Sequence, residues 1–317
     1  MKKISILIPA YNEEATLWRT YRSICIVIDR ITDYNWDFVF VDDGSSDHTL
    51  QILDEIRATD RRVNIISLSR NFGKENAMLA GMDFADSDAV LIMDADGQHS
   101  LDILPQMVAE WENGADDVYA MRRERDTDGP VRRLLSRLYY RLLQSVSDIN
   151  ILPGAGDYRL LDRRCVEAIS TMREANRYTK GLYCWIGFKK KGISYDHLPR
   201  TAGKSNFSYI RLFNLAINGI TSHTVSPLRI SSLIGCIVSI LAFVYLIYTV
   251  VKTLIYGEPV QGYPTIISAI LFLGGLQLLS IGIIGEYLGR LFIESKHRPL
   301  YIIDKLNGEK YRKTNGR

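Results

Sequence analysis

The stretch "LIMDADGQHS", residues 91–100, ends an apolar, strand-like run in two carboxylates one residue apart, Asp94 and Asp96, followed by Gly97, Gln98 and His99. Two carboxylates at the mouth of a strand repel each other unless a cation lies between them. Asp94, Asp96 and Gln98 offer hard oxygen ligands of the kind that Mg2+ or Mn2+ takes, and these ions bridge protein carboxylates to the phosphates of a ligand. His99 reads as a ligand, a substrate contact or, at least as readily, a structural histidine, and is given no catalytic role. A bare D-x-D arises often by chance, so its meaning depends on the elements that present it.

The first 200 residues alternate in the α/β manner. Strand-like runs fall at 4–9, 37–42, 63–68 and 89–93, with helical patterns at about 13–29, 47–58 and 73–85. Nearly continuous apolar strands separated by amphipathic helices predict a mostly parallel, Rossmann-like sheet covered on both faces. In such sheets ligands bind beyond the carboxyl ends of the strands. Polar residues gather at those ends: Tyr11, Asn12 and Glu13; then Asp42, Asp43, Gly44 and Ser45; then Ser69, Arg70 and Asn71; then Asp94 and Asp96. Four clusters at one edge outline a site. Ser45, Ser46 or Asp47 is placed to cap the second helix.

No G-x-G-x-x-G follows the first strand and no Walker lysine loop is present, which disfavours dinucleotides and P-loop chemistry. A net charge of +3 gives no global signal for nucleic acid. Cys25, Cys165, Cys184 and Cys236 are scattered, without a C-x-x-C pair, and read as reduced thiols. "MKKISILIPAYNEE" is too short an apolar run for a signal peptide and reads as a first strand.

The last third of the chain differs. Residues 230–251 and 263–285 carry no charge, and each run is long enough to cross about 30 Å of hydrocarbon as a helix. Gly274, Gly275, Gly282 and Gly285 permit close helix packing and a possible homo-oligomer. Arg229, Arg290, Lys296 and Arg298 flank the pair, against Lys252 alone in the connection, which predicts a hairpin with both termini in the cytoplasm. The expected organisation is therefore a cytoplasmic catalytic domain over 1–205, an interfacial helix over 206–228, two transmembrane helices at about 230–251 and 264–286 within 229–289, and a cytoplasmic tail over 290–317.

Basic elements lie between the sheet and these spans. "PVRRLLSRLYYRLL", within a helix at about 130–145, sets Val131, Leu134, Leu135, Leu138 and Leu142 on one face and Arg133, Arg137 and Arg141 on another, a pattern suited to anionic head groups. Ile210, Phe213 and Ile217 recur at helical spacing just before the first span. Arg200 and Lys204, in a glycine-containing loop, are placed to meet phosphates.

"ILIPAYNEE", "VFVDDGSSDHT", "SRNFGKENAM" and "IMDADGQH" resemble the signatures of family 2 glycosyltransferases with the GT-A fold. With "RTAGKSNFS" and the two apolar spans, the whole chain is similar to polyisoprenyl-phosphate glycosyltransferases of the bactoprenol glucosyltransferase type, and more distantly to dolichol-phosphate mannose synthases. The resemblance implies inverting transfer of a hexose from a nucleotide sugar to the phosphate of a membrane polyprenol. Pro9, Tyr11 and Glu13 would line the nucleoside pocket, Asp43 would contact base or ribose, Asp42 would support its loop and Arg70 would lie near the nucleotide. Asp94 and Asp96 would hold the metal or donor, with Gln98 assisting, and Asp157 would act as base or position a substrate. UDP-glucose is the donor implied, with GDP-mannose or a modified pentose on UDP as alternatives. A processive polysaccharide synthase is disfavoured because no Q-x-x-R-W motif is present, and a decayed, non-catalytic scaffold because the Asp94/Asp96 pair is intact.

Overall fold

The computed structural model describes residues 1–122, 155–175, 177–195 and 262–311, with positions 237, 238, 244 and 255. The first half follows the expected alternation: β1 (Lys3–Ala10), α1 (Leu17–Ile28), β2 (Asn35–Asp42), α2 (Thr49–Thr59), β3 (Val63–Leu68), α3 (Lys74–Phe84), β4 (Ala89–Ile92) and α4 (Leu104–Glu112). Next come β5 (Asp117–Arg122), β6 (Ala155–Asp162), α5 (Arg163–Thr171), α6 (Thr179–Trp185) and β7 (Lys190–Tyr195). A long helix α7 (Tyr263–Ser295) and two short strands, β8 (Ile303–Leu306) and β9 (Glu309–Lys310), complete the described chain.

All nine strands join one sheet in the order β7-β5-β6-β4-β1-β2-β3-β8-β9. The four strands read from sequence, β4-β1-β2-β3, are parallel neighbours, so their carboxyl ends share an edge. Outside them the pairing becomes mixed: β6 runs antiparallel to both β4 and β5, and β8 antiparallel to β3. The sheet is thus parallel at its centre and mixed at its flanks.

Side chains alternate across each strand, and both faces are apolar. Ile4, Ile6, Ile8, Phe38 and Phe40 pack with Leu17 and Ile24 of α1, Leu53 and Ile56 of α2, and Leu104 and Met107 of α4. Leu7, Val39, Val41, Val90 and Ile92 pack on the other face with Met78 of α3, Val166 and Ile169 of α5, and Tyr183 of α6. This double burial is why the strands read as unbroken apolar runs. Local chemistry sets where the helices start: the Asp47 carboxylate accepts the Thr49 N–H at the head of α2, and the Asp162 carboxylate accepts the Arg164 N–H at the head of α5.

Helix α7 contains the second apolar run and continues nine residues beyond its expected end at 286, to Ser295. Leu276–Ser295 is the one segment among the described residues long and apolar enough, by length and composition, to cross a membrane. The expected span at 230–251 lies almost wholly outside the described residues. The basic helix at 130–145, with Arg133 and Arg137, the loop with Arg200 and Lys204, and the interfacial helix at 206–228 lie outside them entirely.

Residues past 290, expected as a tail, instead close the sheet. The Glu294 carboxylate at the end of α7 accepts the Ala175 N–H at 2.9 Å. Tyr301 donates to Asp83, which also takes Arg173 through two nitrogens at 2.6 and 2.7 Å. The Ser69 N–H then donates to the Ile302 carbonyl, and β8 runs back along β3. Asn307 and Gly308, both at positive φ, turn β8 into β9, the backbone that an Asn-Gly hairpin turn requires. Asn307 also closes a two-way bond with Ile65: its side-chain oxygen accepts the Ile65 N–H, and its N–H donates to the Ile65 carbonyl.

Asn307→Ala removes one acceptor and puts a Cβ-restricted residue at φ 55. The expected cost is about 1–3 kcal/mol, hence a thermal unfolding midpoint lower by roughly 2–4 °C per kcal/mol. An unchanged midpoint in detergent would mean that the β8 edge adds nothing to stability.

Candidate functional site

The loops after β1 and β2 are laced together across the sheet edge. Asn12 holds a left-handed backbone (φ 55), its N–H donates to Ser45 Oγ, and its side-chain oxygen accepts the Ser46 N–H. The Glu13 N–H donates to Thr49 Oγ1 and the Glu14 N–H to Asp47. Pro9 is buried at the end of β1, Tyr11 is 46% exposed, and Glu13 is half-buried, so this loop offers one aromatic face outward.

Asp42 and Asp43, adjacent in sequence, support different loops. Asp42 accepts the Ser45 N–H and the Ser67 hydroxyl, which bears out its reading as a loop support. Asp43 is buried and accepts the Phe72 N–H at 2.7 Å on one oxygen and the Gly73 N–H at 2.9 Å on the other. Burial pushes its carboxyl up, against the pull of those two donors. Asp43 therefore fixes the backbone just before α3, a duty that its position in sequence did not disclose. Gly44, at φ +66, lets this turn press on its neighbour, since a Cβ there would lie 2.4 Å from the Arg70 carbonyl carbon. Arg70 itself is exposed, donates to the Asn71 carbonyl and lies over the Phe72 ring.

At the carboxyl end of β4, Asp94 meets a group that the sequence reading left unassigned. The Lys74 ammonium lies 2.5 Å from Asp94 Oδ1 and 2.8 Å from Asp157 Oδ2. It comes from the first turn of α3, where a cation opposes the helix dipole. That misplaced charge inside "SRNFGKENAM" was the signal available. His99 Nε2 stands 3.6 Å from Asp94 Oδ2, an electrostatic contact longer than a hydrogen bond. Burial works against a charged Asp94, but His99 and Lys74 override it and hold the carboxyl well below the usual carboxylate range. Burial likewise opposes the Lys74 ammonium, and Asp94 with Asp157 hold its pKa well above the ordinary lysine value.

The rest of the cluster is acidic. Asp96 accepts the Gln98 N–H, and Gln98 is buried. Burial raises the Glu13 pKa, and the nearby charges of Asp96, Asp94 and Asp47 raise it further, while its bond from Thr16 opposes them. Glu75, next to Lys74, is also raised, chiefly by burial and in part by Asp157. Asp157 Oδ1 is buried without a hydrogen-bond partner. Behind it, Arg159 is clamped to buried Asp117 at 3.0 Å and donates to the Gly156 carbonyl, which fixes the peptide leading into Asp157.

Asp94 and Asp157 are thus brought together through Lys74, while Glu13 lies close enough to feel both Asp96 and Asp94. Among the described residues no three His, Cys, Asp or Glu side chains form a ready-made metal cage. An acidic cluster with an unpartnered carboxylate oxygen fits a hard cation that takes one or two protein carboxylates and draws its other ligands from phosphates and water.

Comparison with known proteins gives the family of the chain. The "Glycosyl transferase family 2" domain matches residues 5–170, more than half of the chain, and "GtrB C-terminal hairpin" matches residues 226–291. The chain is 41% identical over 301 residues to the bactoprenol glucosyl transferase of Shigella phage SfV, covering 95% of this chain and 98% of that one. It is 40% identical over 303 residues to the SfII prophage-derived bactoprenol glucosyl transferase of Shigella flexneri, covering 96% and 98%. It is 40% identical over 304 residues to the prophage bactoprenol glucosyl transferase homolog of Escherichia coli K12, covering 96% and 99%. The chain belongs to glycosyl transferase family 2.

Proposed function

We propose that this enzyme transfers glucose from UDP-glucose to the phosphate of a membrane polyprenol, undecaprenyl phosphate, with inversion at the anomeric carbon. The observation that carries the reading is the convergence of Asp94 and Asp157 on one cation at the carboxyl edge of the sheet. The near full-length likeness to bactoprenol glucosyl transferases supports the choice of sugar and acceptor.

In this reading Pro9, Tyr11, Glu13, Asp43 and Arg70 form the nucleoside side of the site, at the carboxyl ends of β1, β2 and β3. Asp94 and Asp96, with Gln98 behind them, would hold Mg2+ or Mn2+, which when bound supplies positive charge to the departing diphosphate. Asp157 takes the acceptor side, facing the attacking phosphate. A phosphate monoester has its second pKa near ~6 and is largely ionised at neutral pH, so proton removal is a small part of the barrier. Asp157 therefore serves mainly to orient, and Lys74 offsets its charge against that of the acceptor. Arg133, Arg137, Arg200 and Lys204 meet the lipid-linked phosphate and the anionic membrane surface.

The apolar part of α7 anchors the enzyme in the cell membrane, with the charge-free run at 230–251 as the other arm of the hairpin and both termini cytoplasmic. The match of residues 226–291 to a C-terminal hairpin supports this arrangement.

Asp94→Asn and Asp96→Asn should each abolish formation of labelled glucosyl-phosphoryl-polyprenol from labelled UDP-glucose, with near-normal protein levels in membranes. Near-normal activity in either variant, or full activity in excess EDTA, refutes the metal-assisted reading.

Arg200→Ala should raise the KM for polyprenyl phosphate by roughly ten- to a hundredfold while leaving nucleotide-sugar affinity nearly unchanged, since a charge-assisted phosphate bond contributes about 1.5–3 kcal/mol. A loss confined to nucleotide affinity would reassign Arg200 to the donor.

For topology, a cysteine at position 262, introduced after removal of the native thiols, should react with an impermeant thiol reagent in intact cells, and one at position 307 should not. The opposite pattern inverts the orientation.

A further inference from the structure

One of the two Asp94 oxygens is already in use: Lys74 holds Oδ1 at 2.5 Å, while His99 stands 3.6 Å from Oδ2. A divalent ion that binds Asp94 must therefore displace an ammonium from Oδ1 or share the carboxylate with it at close range, as well as shed its own water. We propose that Lys74 is a built-in competitor for the metal: it occupies Asp94 in the donor-free enzyme and yields only to a metal that arrives with the nucleotide diphosphate, so metal and donor enter together. This inference rests on the reading of Asp94 as a metal ligand.

Three features make such an exchange feasible. The Lys74 side chain is 40% exposed, so its ammonium can leave Asp94 without opening the core. Asp157 remains as its second anchor at 2.8 Å, so the charge is retained nearby when Asp94 is released. The backbone that carries Lys74 is itself fixed, because Asp43 binds the N–H groups of Phe72 and Gly73 immediately before it. Only the side chain has to move. Asp43 is also the residue assigned to the nucleoside, so donor binding acts one residue from the base of the competing lysine.

Displacement is costly for a lone ion, which offers Asp94 one cation in exchange for another. A metal already carrying a diphosphate brings part of its own coordination shell and needs only one or two protein oxygens. The competitor therefore makes metal affinity depend on the nucleotide.

The test is a Mn2+ titration of the full-length protein in detergent, followed by electron paramagnetic resonance, with and without UDP-glucose and with no acceptor present. The unmodified protein should bind Mn2+ weakly alone and distinctly more tightly with UDP-glucose. Lys74→Met and Lys74→Gln each remove the competitor and leave Asp94 and Asp157 facing each other. Either should bind Mn2+ alone at least about tenfold more tightly than the unmodified protein, with most of the nucleotide dependence gone. Lys74→Arg keeps the cation and should keep the dependence. If both neutral variants retain the circular dichroism of the unmodified protein yet bind Mn2+ alone no better, the competitor is refuted while the metal site stands. If the unmodified protein binds no Mn2+ even with UDP-glucose, the metal reading of Asp94 fails and the competitor falls with it.

Discussion

Charge balance at the carboxyl ends of the central strands is the constraint that organises this protein. Parallel strands necessarily deliver their following loops to one edge, and here the loops after β1 and β4 bring Glu13, Asp94 and Asp96 to it, with Asp157 entering from β6. Burial and mutual repulsion make such a group resist ionisation, as at Glu13, whose pKa is raised chiefly by burial and further by Asp96 and Asp94. One ammonium on the first turn of α3 reconciles two of these carboxylates, and a histidine leans on one of the same pair. Everything that fixes α3 against the sheet therefore also fixes the electrostatics of the site. Asp43, which binds the backbone just ahead of the helix, is one of those supports.

The same edge shows how a binding surface is built from backbone rather than bulk. Asn12, Glu13 and Glu14 of one loop exchange hydrogen bonds with Ser45, Ser46 and Asp47 of the next and with Thr49 at the head of α2. Their polar groups are spent on one another, so the loops are held in place without an apolar core of their own. Asp42 and Gly44 extend the lacing to the third strand, through Ser67 and through close contact with the backbone at Arg70.

Much of this was legible in the sequence, and the parts that were not share a cause. The strands at 4–9, 37–42, 63–68 and 89–93 and their helices are local patterns, and the structure returns them within a few residues. The convergence of acidic groups followed from the parallel layout. Lys74 escaped because its partners lie 20 and 83 residues away, and no local spacing announces such a meeting. Only its unfavourable place at a helix start hinted that something acidic must compensate. The antiparallel flanks escaped likewise, because strand direction is decided by long-range pairing that the apolar pattern of β6 does not encode. In "YIIDKLNGEKY" the Asn-Gly pair is a hairpin signal, but the strand that this hairpin pairs with lies 242 residues away at Ile65, so its place in the sheet has no local mark.

That hairpin bears on how the enzyme reaches a lipid. Strand β8 is antiparallel to β3, so the chain arriving from α7 meets the sheet at the carboxyl end of β3, where the Ser69 N–H donates to the Ile302 carbonyl, one residue from Arg70. Only six residues separate Lys296 from Ile303, a reach of about 20 Å at full extension. If the apolar length of α7 stands in a bilayer, the tether lands on the reactive rim of the sheet and not on its opposite rim. The catalytic face is then moored at a fixed height over the membrane, and the search for a lipid phosphate becomes lateral diffusion in two dimensions beneath a stationary site.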